Sequence, residues 1–255
     1  MSPLAQLLVR HRERLLAQPP ALWLNPPADL PRELLASPAR CFVQDEALRR
    51  ALAARNIEAD FGAWPPTLAA TDTVVFTLPR EKARLRMLAH ALSGSIGAHG
   101  SVLAIGEIRA GARSASRHLE PFFHEIRKQD AARHCVLYEA RVPRAGMAGN
   151  NAGANGHPAA DEDRDIRPFR PGDYLTHWRL DQPAGPLTIC SLPGVFAHGG
   201  LDAGTALLLD GLHKFVDPAV GRALDLGCGA GVIGLALGKI KPSIELVMAD
   251  SSALA

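Results

Sequence analysis

The residues of this chain whose types and spacing could do chemistry run Leu224-Asp225-Leu226-Gly227-Cys228-Gly229-Ala230-Gly231-Val232-Ile233-Gly234. An apolar run ending in an acid, glycines at every second position and then an apolar helical pattern predict a strand, a tight turn and a helix. Glycine is needed where the backbone takes positive φ, and where it must approach a ligand more closely than a Cβ would allow. The stretch therefore reads as a nucleotide-type cofactor loop. Two cofactor classes compete for it. Gly229 to Gly234 satisfies the dinucleotide pattern G-x-G-x-x-G, and Asp250 lies where a ribose-binding acid belongs. A dinucleotide fold, however, would carry plain apolar strand at Asp225 and Gly227, where this chain has an acid and an extra glycine.

The longer form, D-L-G-C-G-A-G, resembles motif I of the class I S-adenosylmethionine-dependent methyltransferases. S-adenosyl-L-methionine has no pyrophosphate for a helix N-terminus to hold, but it carries an ammonium and a sulfonium that favour a nearby carboxylate. It is the cofactor expected here, with an NAD-dependent oxidoreductase kept as an alternative. No metal is expected: Cys41, Cys135, Cys190 and Cys228 are scattered, with no C-x-x-C pair.

The elements that must position this loop follow from the rest of the chain. Its 255 residues suffice for one or two domains with a real core. Met1 to Leu16, with apolar pairs broken by Arg10, Arg12, Glu13 and Arg14, reads as an amphipathic helix and not a secretory signal. No apolar run is long enough to span a membrane, and free thiols suit a cytoplasmic protein of bacterial type. Strands are predicted at Ala21 to Leu24, Cys41 to Asp45, Thr73 to Pro79, Ser101 to Glu107 and Cys135 to Ala140. Helices are predicted at Glu46 to Asn56, with Ala47, Leu48, Ala51 and Leu52 on one face, and at Arg80 to Leu92. The alternation implies a mostly parallel, doubly wound sheet. Arg109, Arg113 and Arg117 recur at spacing four and would share one helix face if the helix begins that early, as a solvated face or, less readily, a phosphate-contacting ridge. Asn25-Pro26-Pro27 reads as a proline-stiffened turn, and Asn25 to Leu30 stand where a cofactor loop would be. Residues 1–145 therefore form a domain whose first turn has lost its glycines, and it is expected not to bind the cofactor.

Residues 146–166 are small, polar and glycine-rich, and read as a flexible linker. Residues 167–255 begin with a hairpin, Tyr174 to Leu180 and Leu187 to Ser191 around Gln182-Pro183-Ala184-Gly185-Pro186. A helix follows with Leu208, Leu212 and Phe215 on its buried side, then strands at Ala223 to Leu226 and Ile244 to Ala249. Charge divides along the same line. Residues 1–145 hold 20 Lys+Arg against 14 Asp+Glu, net +6, and residues 146–255 hold 8 against 12, net −4. The front half is thus the one suited to a polyanion.

Leu192-Pro193-Gly194-Val195-Phe196, Leu201-Asp202-Ala203-Gly204-Thr205, the leucine-rich helix and the glycine loop, in this order, resemble the ribosomal small-subunit RNA guanine-N2 methyltransferases, the RsmC family. Gly106-Glu107, Arg109, Gly111 and Arg113-Ser114-Ala115 extend the resemblance into the front half. It implies two tandem Rossmann-like class I methyltransferase domains of α/β fold. The first is degenerate and supports RNA binding or folding; the second carries S-adenosylmethionine. It also implies that Asp225, Gly227, Gly229 and Gly231 wrap the methionine end, that Asp250 takes the ribose hydroxyls, and that Gly204 and Thr205 lie against the cofactor. The partner implied is small-subunit ribosomal RNA and the state a monomer when full length. At Ala197-His198-Gly199 the family more usually has Ser-Arg-Asp, and His198 reads as a surface histidine without a role. The family's Asn-Pro-Pro-Phe turn, which supplies hydrogen-bond acceptors to the target amine, follows the acid-bearing strand by several elements. This sequence stops at Ala255, so the second domain is read as incomplete, without a catalytic residue and inactive by itself. A non-catalytic RNA-binding or assembly module is the alternative from a different class.

Overall fold

A computed structural model describes residues 1–36, 38–69, 72–96, 100–143, 168–217 and 219–255. The linker expected at 146–166 lies outside the described residues. The front half holds helices α1 (Pro3–Val9), α2 (Arg12–Ala17), α3 (Arg32–Leu35), α4 (Glu46–Ala53), α5 (Lys82–Ser95) and α6 (Ala115–Leu119). Its strands are β1 (Leu22–Leu24), β2 (Arg40–Val43), β3 (Asp60–Phe61), β4 (Thr73–Thr77), β5 (Ser101–Glu107), β6 (Phe123–Ala132) and β7 (Cys135–Pro143). They form one sheet in the order β3-β2-β1-β4-β5-β7-β6. The first five pair in parallel, while β7 runs antiparallel to both β5 and β6.

Side chains alternate across a strand, and here both faces are covered, so each strand feeds two cores. Leu22, Leu24, Val74, Phe76, Val102 and Ala104 face α5 and α6. Trp23, Val75, Leu103 and Ile105, one residue out of phase, face the N-terminal helices. That double burial explains why these strands read as continuous apolar runs. Each fully buried large side chain contributes about 1.5 to 3 kcal/mol, and Trp23, Phe76 and Phe123 are among them.

The structure corrects several expectations. The sheet carries the unforeseen strand β6, whose face is mostly exposed. Met1 to Leu16 forms two short helices, with Ser2 capping the first. On α4, Leu52 is buried and Leu48 half-buried, while Ala47 and Ala51 face solvent. Arg109, Arg113 and Arg117 fall in three separate turns, because Gly111 takes φ 93° and interrupts the helix. They do not form one ridge.

The second half contains the antiparallel hairpin β8 (Thr176–Leu180) and β9 (Leu187–Ser191), helices α7 (Ala203–Phe215) and α8 (Val232–Ile240), and the parallel pair β10 (Arg222–Leu226) and β11 (Glu245–Ala249). Leu180, Ile189, Leu209, Val232 and Ala236 form its core. On α7 Leu209 is buried and Leu212 packs half-buried against this core as expected, whereas Leu208 and Phe215 are 61% and 82% exposed, against expectation. Leu224, Leu226 and Val247 are also exposed on the short parallel pair.

The halves meet through a fourth cluster, in which Met87 of α5 packs with Val195 and Leu254. Backbone bonds reinforce it: Glu46 N–H donates to Ser251 O at 2.8 Å and Ala253 N–H to Gln44 O at 2.9 Å. His90, stacked on Phe122, bonds Tyr174 Oη at 2.8 Å.

Candidate cofactor site

The glycine loop joins β10 to α8 and is fastened to the end of β11. Gly227 and Cys228 both donate their N–H to Ala249 O, at 2.7 and 3.1 Å. Gly227, Gly229 and Gly231 take φ of 75°, 51° and 75°. This left-handed region strains side chains with a Cβ, which is why glycine recurs at alternate positions. Gly234 is constrained differently: a Cβ there would sit 2.5 Å from Met248 Sδ and 3.1 Å from Asp225 Oδ2. It permits α8 to lie close on the strands.

Two carboxylates buttress the turn. Asp225 Oδ2 accepts the Gly234 N–H at 2.9 Å, satisfying one of the first-turn donors that a helix leaves unpaired. Asp250 accepts the Gly229 N–H at 2.8 Å and the Ser252 N–H at 2.8 Å. Burial, then the charges of Asp225 and Asp250, push the Cys228 thiol upward, so it stays protonated and the loop lies in a negative field. Beside the loop is a cavity of about 370 Å³ bordered by Gly229, Gly231, Val195, Leu235 and Met248.

Asp225, Gly227, Gly229, Gly231 and Asp250 thus come together around one turn. Gly204 and Thr205 do not border this cavity; they occupy the first turn of α7, where Asp202 caps their N–H groups at 3.0 and 3.1 Å. The hydrogen bond from the Thr205 hydroxyl, at 2.5 Å, leads the contacts that hold the Asp202 carboxyl below its ordinary range. His198 is engaged: its ring nitrogens lie 3.0 Å from Ser191 Oγ and 3.2 Å from Thr176 Oγ1, tying the Ala197-His198-Gly199 turn to the hairpin. Val195 and Met248, the apolar walls, were not singled out as site residues, although Val195 lies in the quoted Leu-Pro-Gly-Val-Phe segment.

In the front half, the position of a first cofactor turn is filled by side chains. Asn25, at φ 51°, accepts the Gln44 N–H at 2.9 Å and donates to Gln44 Oε1 at 3.0 Å. Arg84 donates to the same Gln44 oxygen at 3.1 Å. Asn25-Pro26-Pro27 is accordingly a structural turn whose amide is already used.

Residues 5–148 match the methyltransferase small domain N-terminal family, and residues 186–255 the methyltransferase small domain family. Ribosomal RNA small subunit methyltransferase C of Shewanella pealeana is 33% identical over 98% of this chain and 68% of its own length. The protein of the same name from Pseudomonas syringae pv. syringae is 34% identical over 100% of this chain and 68% of its own. The chain belongs to the ribosomal RNA small subunit methyltransferase C family. Among solved structures, the Thermus thermophilus 16S rRNA N2 G1207 methyltransferase, determined with AdoMet and guanosine, superposes with a TM-score of 0.71 at 17% identity. That match covers 99% of this chain and 63% of the other. The chain therefore spans about two thirds of the length of the family members it matches. Its fold is that of tandem class I methyltransferase domains, and the cofactor of the family is S-adenosylmethionine. Family membership sets the NAD-dependent reading aside. No helix among the described residues is long and apolar enough to cross a membrane.

Proposed function

We propose that this chain serves S-adenosylmethionine-dependent methylation of the exocyclic N2 of a guanine in small-subunit ribosomal RNA. In this reading residues 167–255 hold the cofactor and residues 1–145 help present the RNA. The observation that carries it is the left-handed glycine turn, flanked by Asp225 and Asp250 and opening on the 370 Å³ cavity. The residues fit the group. At Gly227 a Cβ would meet nothing within 4 Å, so the outer side of the turn is open to a ligand. Two carboxylates favour a ligand bearing an ammonium and a sulfonium, and Val195 and Met248 offer apolar contact. Asp225, Gly227, Gly229 and Gly231 would lie along the methionine end and Asp250 at the ribose, with Gly204 and Thr205 contributing through the position of α7.

When bound, the cofactor supplies an electrophilic methyl on sulfur. A guanine amine, its lone pair delocalised into the ring, attacks such a methyl only when acceptors draw on its hydrogens and hold it in line. No residue of this chain is assigned that role, and the Asn25 amide is committed to Gln44. We therefore propose that residues 1–255 bind cofactor without completing the transfer.

Calorimetry with S-adenosylmethionine and with NADH, followed by nucleoside mass spectrometry of small-subunit RNA incubated with the chain, tests each part. Binding of S-adenosylmethionine alone, with no N2-methylguanosine formed, is expected. RNA binding without either cofactor would favour a non-catalytic module. Appearance of N2-methylguanosine would overturn the proposal that these residues do not complete the transfer.

A further inference from the structure

Most arginines on the periphery of the front half are neutralised locally. Arg10, Arg12, Arg14, Arg40, Arg49, Arg50, Arg109, Arg127 and Arg141 each lie within 4.0 Å of a carboxylate. Arg32, Arg80, Arg113, Lys128 and Arg133 are likewise exposed and in no ion pair among the described residues, but Lys82 and Arg86, one turn apart on α5, and Arg117 on α6 are brought together by the packing of the two helices. All three are exposed, and among the described residues none is in an ion pair. The two helices pack together, and the charges of all three cations act on His118. Burial first, then the charges of Lys82, Arg86 and Arg117, hold its imidazole below the ordinary value.

The position of this face matters as much as its charge. It borders a narrow cleft lined by Arg80, Lys82, Glu107 and His118 at the carboxyl ends of β4 and β5. With room for about 10 Å³, the cleft cannot admit a nucleoside, so an anion would lie across its mouth. The opposite side of α5 meets the second half. A Cβ at Gly194 would lie 2.5 Å from Arg84 Cδ, and Met87 packs on Val195, which walls the cofactor cavity. One helix, about 10 Å across, therefore separates Lys82 and Arg86 from that wall.

We propose that Lys82, Arg86 and Arg117 form a platform for the sugar-phosphate backbone of structured RNA, holding it one helix width from the cofactor cavity. The choice of RNA over other polyanions rests on the function proposed above. Positive charge unpaired by protein carboxylates is what phosphate neutralisation requires, and each phosphate engaged steepens the salt dependence of binding by roughly 0.7 to 0.9 in logarithmic slope.

The test is fluorescence anisotropy of a labelled small-subunit RNA hairpin with the whole chain, at several salt concentrations. A Lys82→Gln/Arg86→Gln/Arg117→Gln variant is compared with an Arg12→Gln/Arg40→Gln/Arg127→Gln variant, which removes equal charge from paired sites. The platform variant should lose about tenfold or more in affinity at low salt and about two in slope, while the control stays near wild type. Equal losses in both variants, an unaffected platform variant, or no RNA binding by the wild type would overturn the proposal. S-adenosylmethionine titrations on the same samples separate the two readings. Retained cofactor binding with an unaffected platform variant sinks the platform alone, whereas absent cofactor binding with the expected RNA losses sinks the methyltransferase reading alone.

Discussion

At the scale of single residues, Asp225 combines two tasks that one substitution cannot separate. Its Oδ2 caps α8 through Gly234 N–H, and its charge faces the loop that would hold a cationic ligand. Asp225→Ala removes both; Asp225→Asn keeps an acceptor for the cap and removes the charge. A charge-assisted contact contributes about 1.5 to 3 kcal/mol, so the Asn variant should bind S-adenosylmethionine roughly ten- to a hundredfold more weakly while melting near wild type. Unchanged affinity in calorimetry would assign Asp225 to the cap alone. Gly234→Ala tests the neighbouring contact. Alanine favours a helix by about 1 kcal/mol over glycine, and Met248, 45% exposed, has room to swing aside. The Asp225 carboxylate then has to yield by a few tenths of an ångström. Little change in melting temperature and a measurable loss of cofactor affinity are expected; a large loss of stability would show that Met248 is locked.

At the scale of elements, the N-terminal helices are clasped to the sheet by carboxylates. Arg14 of α2 and Arg141 of β7 both reach Glu139, at 3.0 and 2.8 Å, and His11 reaches Asp130 of β6 at 3.0 Å. Burial would raise Glu139, but the Arg141 hydrogen bond and the Arg14 pair outweigh it and hold the carboxyl below the ordinary range. Asp130 is likewise lowered: burial opposes, and the Ala131 N–H, His11 and Arg10 prevail. Because both folded values are depressed, the unfolded chain takes up protons first as pH falls. Their stabilisation is complete above the unfolded values near 4 and is lost below them. Protection of α1 and α2 amides should therefore drop as pH falls below about 4, ahead of β4 and β5, and Glu139→Gln should bring the loss to neutral pH. Hydrogen exchange across that range checks it. The elements legible in sequence were those whose composition matched their burial. Thr73–Thr77 and Ser101–Glu107 are apolar because both faces are covered, and the hairpin announced itself by the turn at Gln182–Pro186. β6 was illegible because His124, Glu125, Arg127 and Lys128 are exposed and offer no apolar alternation; charged edge strands of this kind resist pairing with other chains. On α7 three successive leucines, 207 to 209, supported more than one face, and only packing against the hairpin and α8 selected Leu209. In the site, the glycine spacing and both acids were readable because backbone geometry demands them, whereas Val195 and Met248 depend on contacts between distant segments.

At the scale of the whole molecule, apolar burial is unequal. The front half has two cores on one sheet, whereas β10 and β11 expose Leu224, Leu226 and Val247. Leaving a few such side chains uncovered forgoes about 1.5 to 3 kcal/mol each, comparable with a domain's stability of roughly 5 to 15 kcal/mol. Slowly exchanging amides should concentrate before residue 145, and β10 and β11 should exchange far faster in the monomer; slow exchange throughout 222–249 would refute this. The cysteines are also unevenly placed. Cys41 and Cys135 are buried, and burial followed by the Asp60 charge pushes Cys41 up to about 11. Cys135 is raised as well, and Cys228 is half-buried in the acidic loop. Cys190 alone of the four is exposed, and it borders the cavity beside the glycine turn. The unmodified chain thus carries a built-in spectroscopic handle: under brief, limiting maleimide treatment near neutral pH a dye should attach first at Cys190, and its emission would follow cavity occupancy in real time.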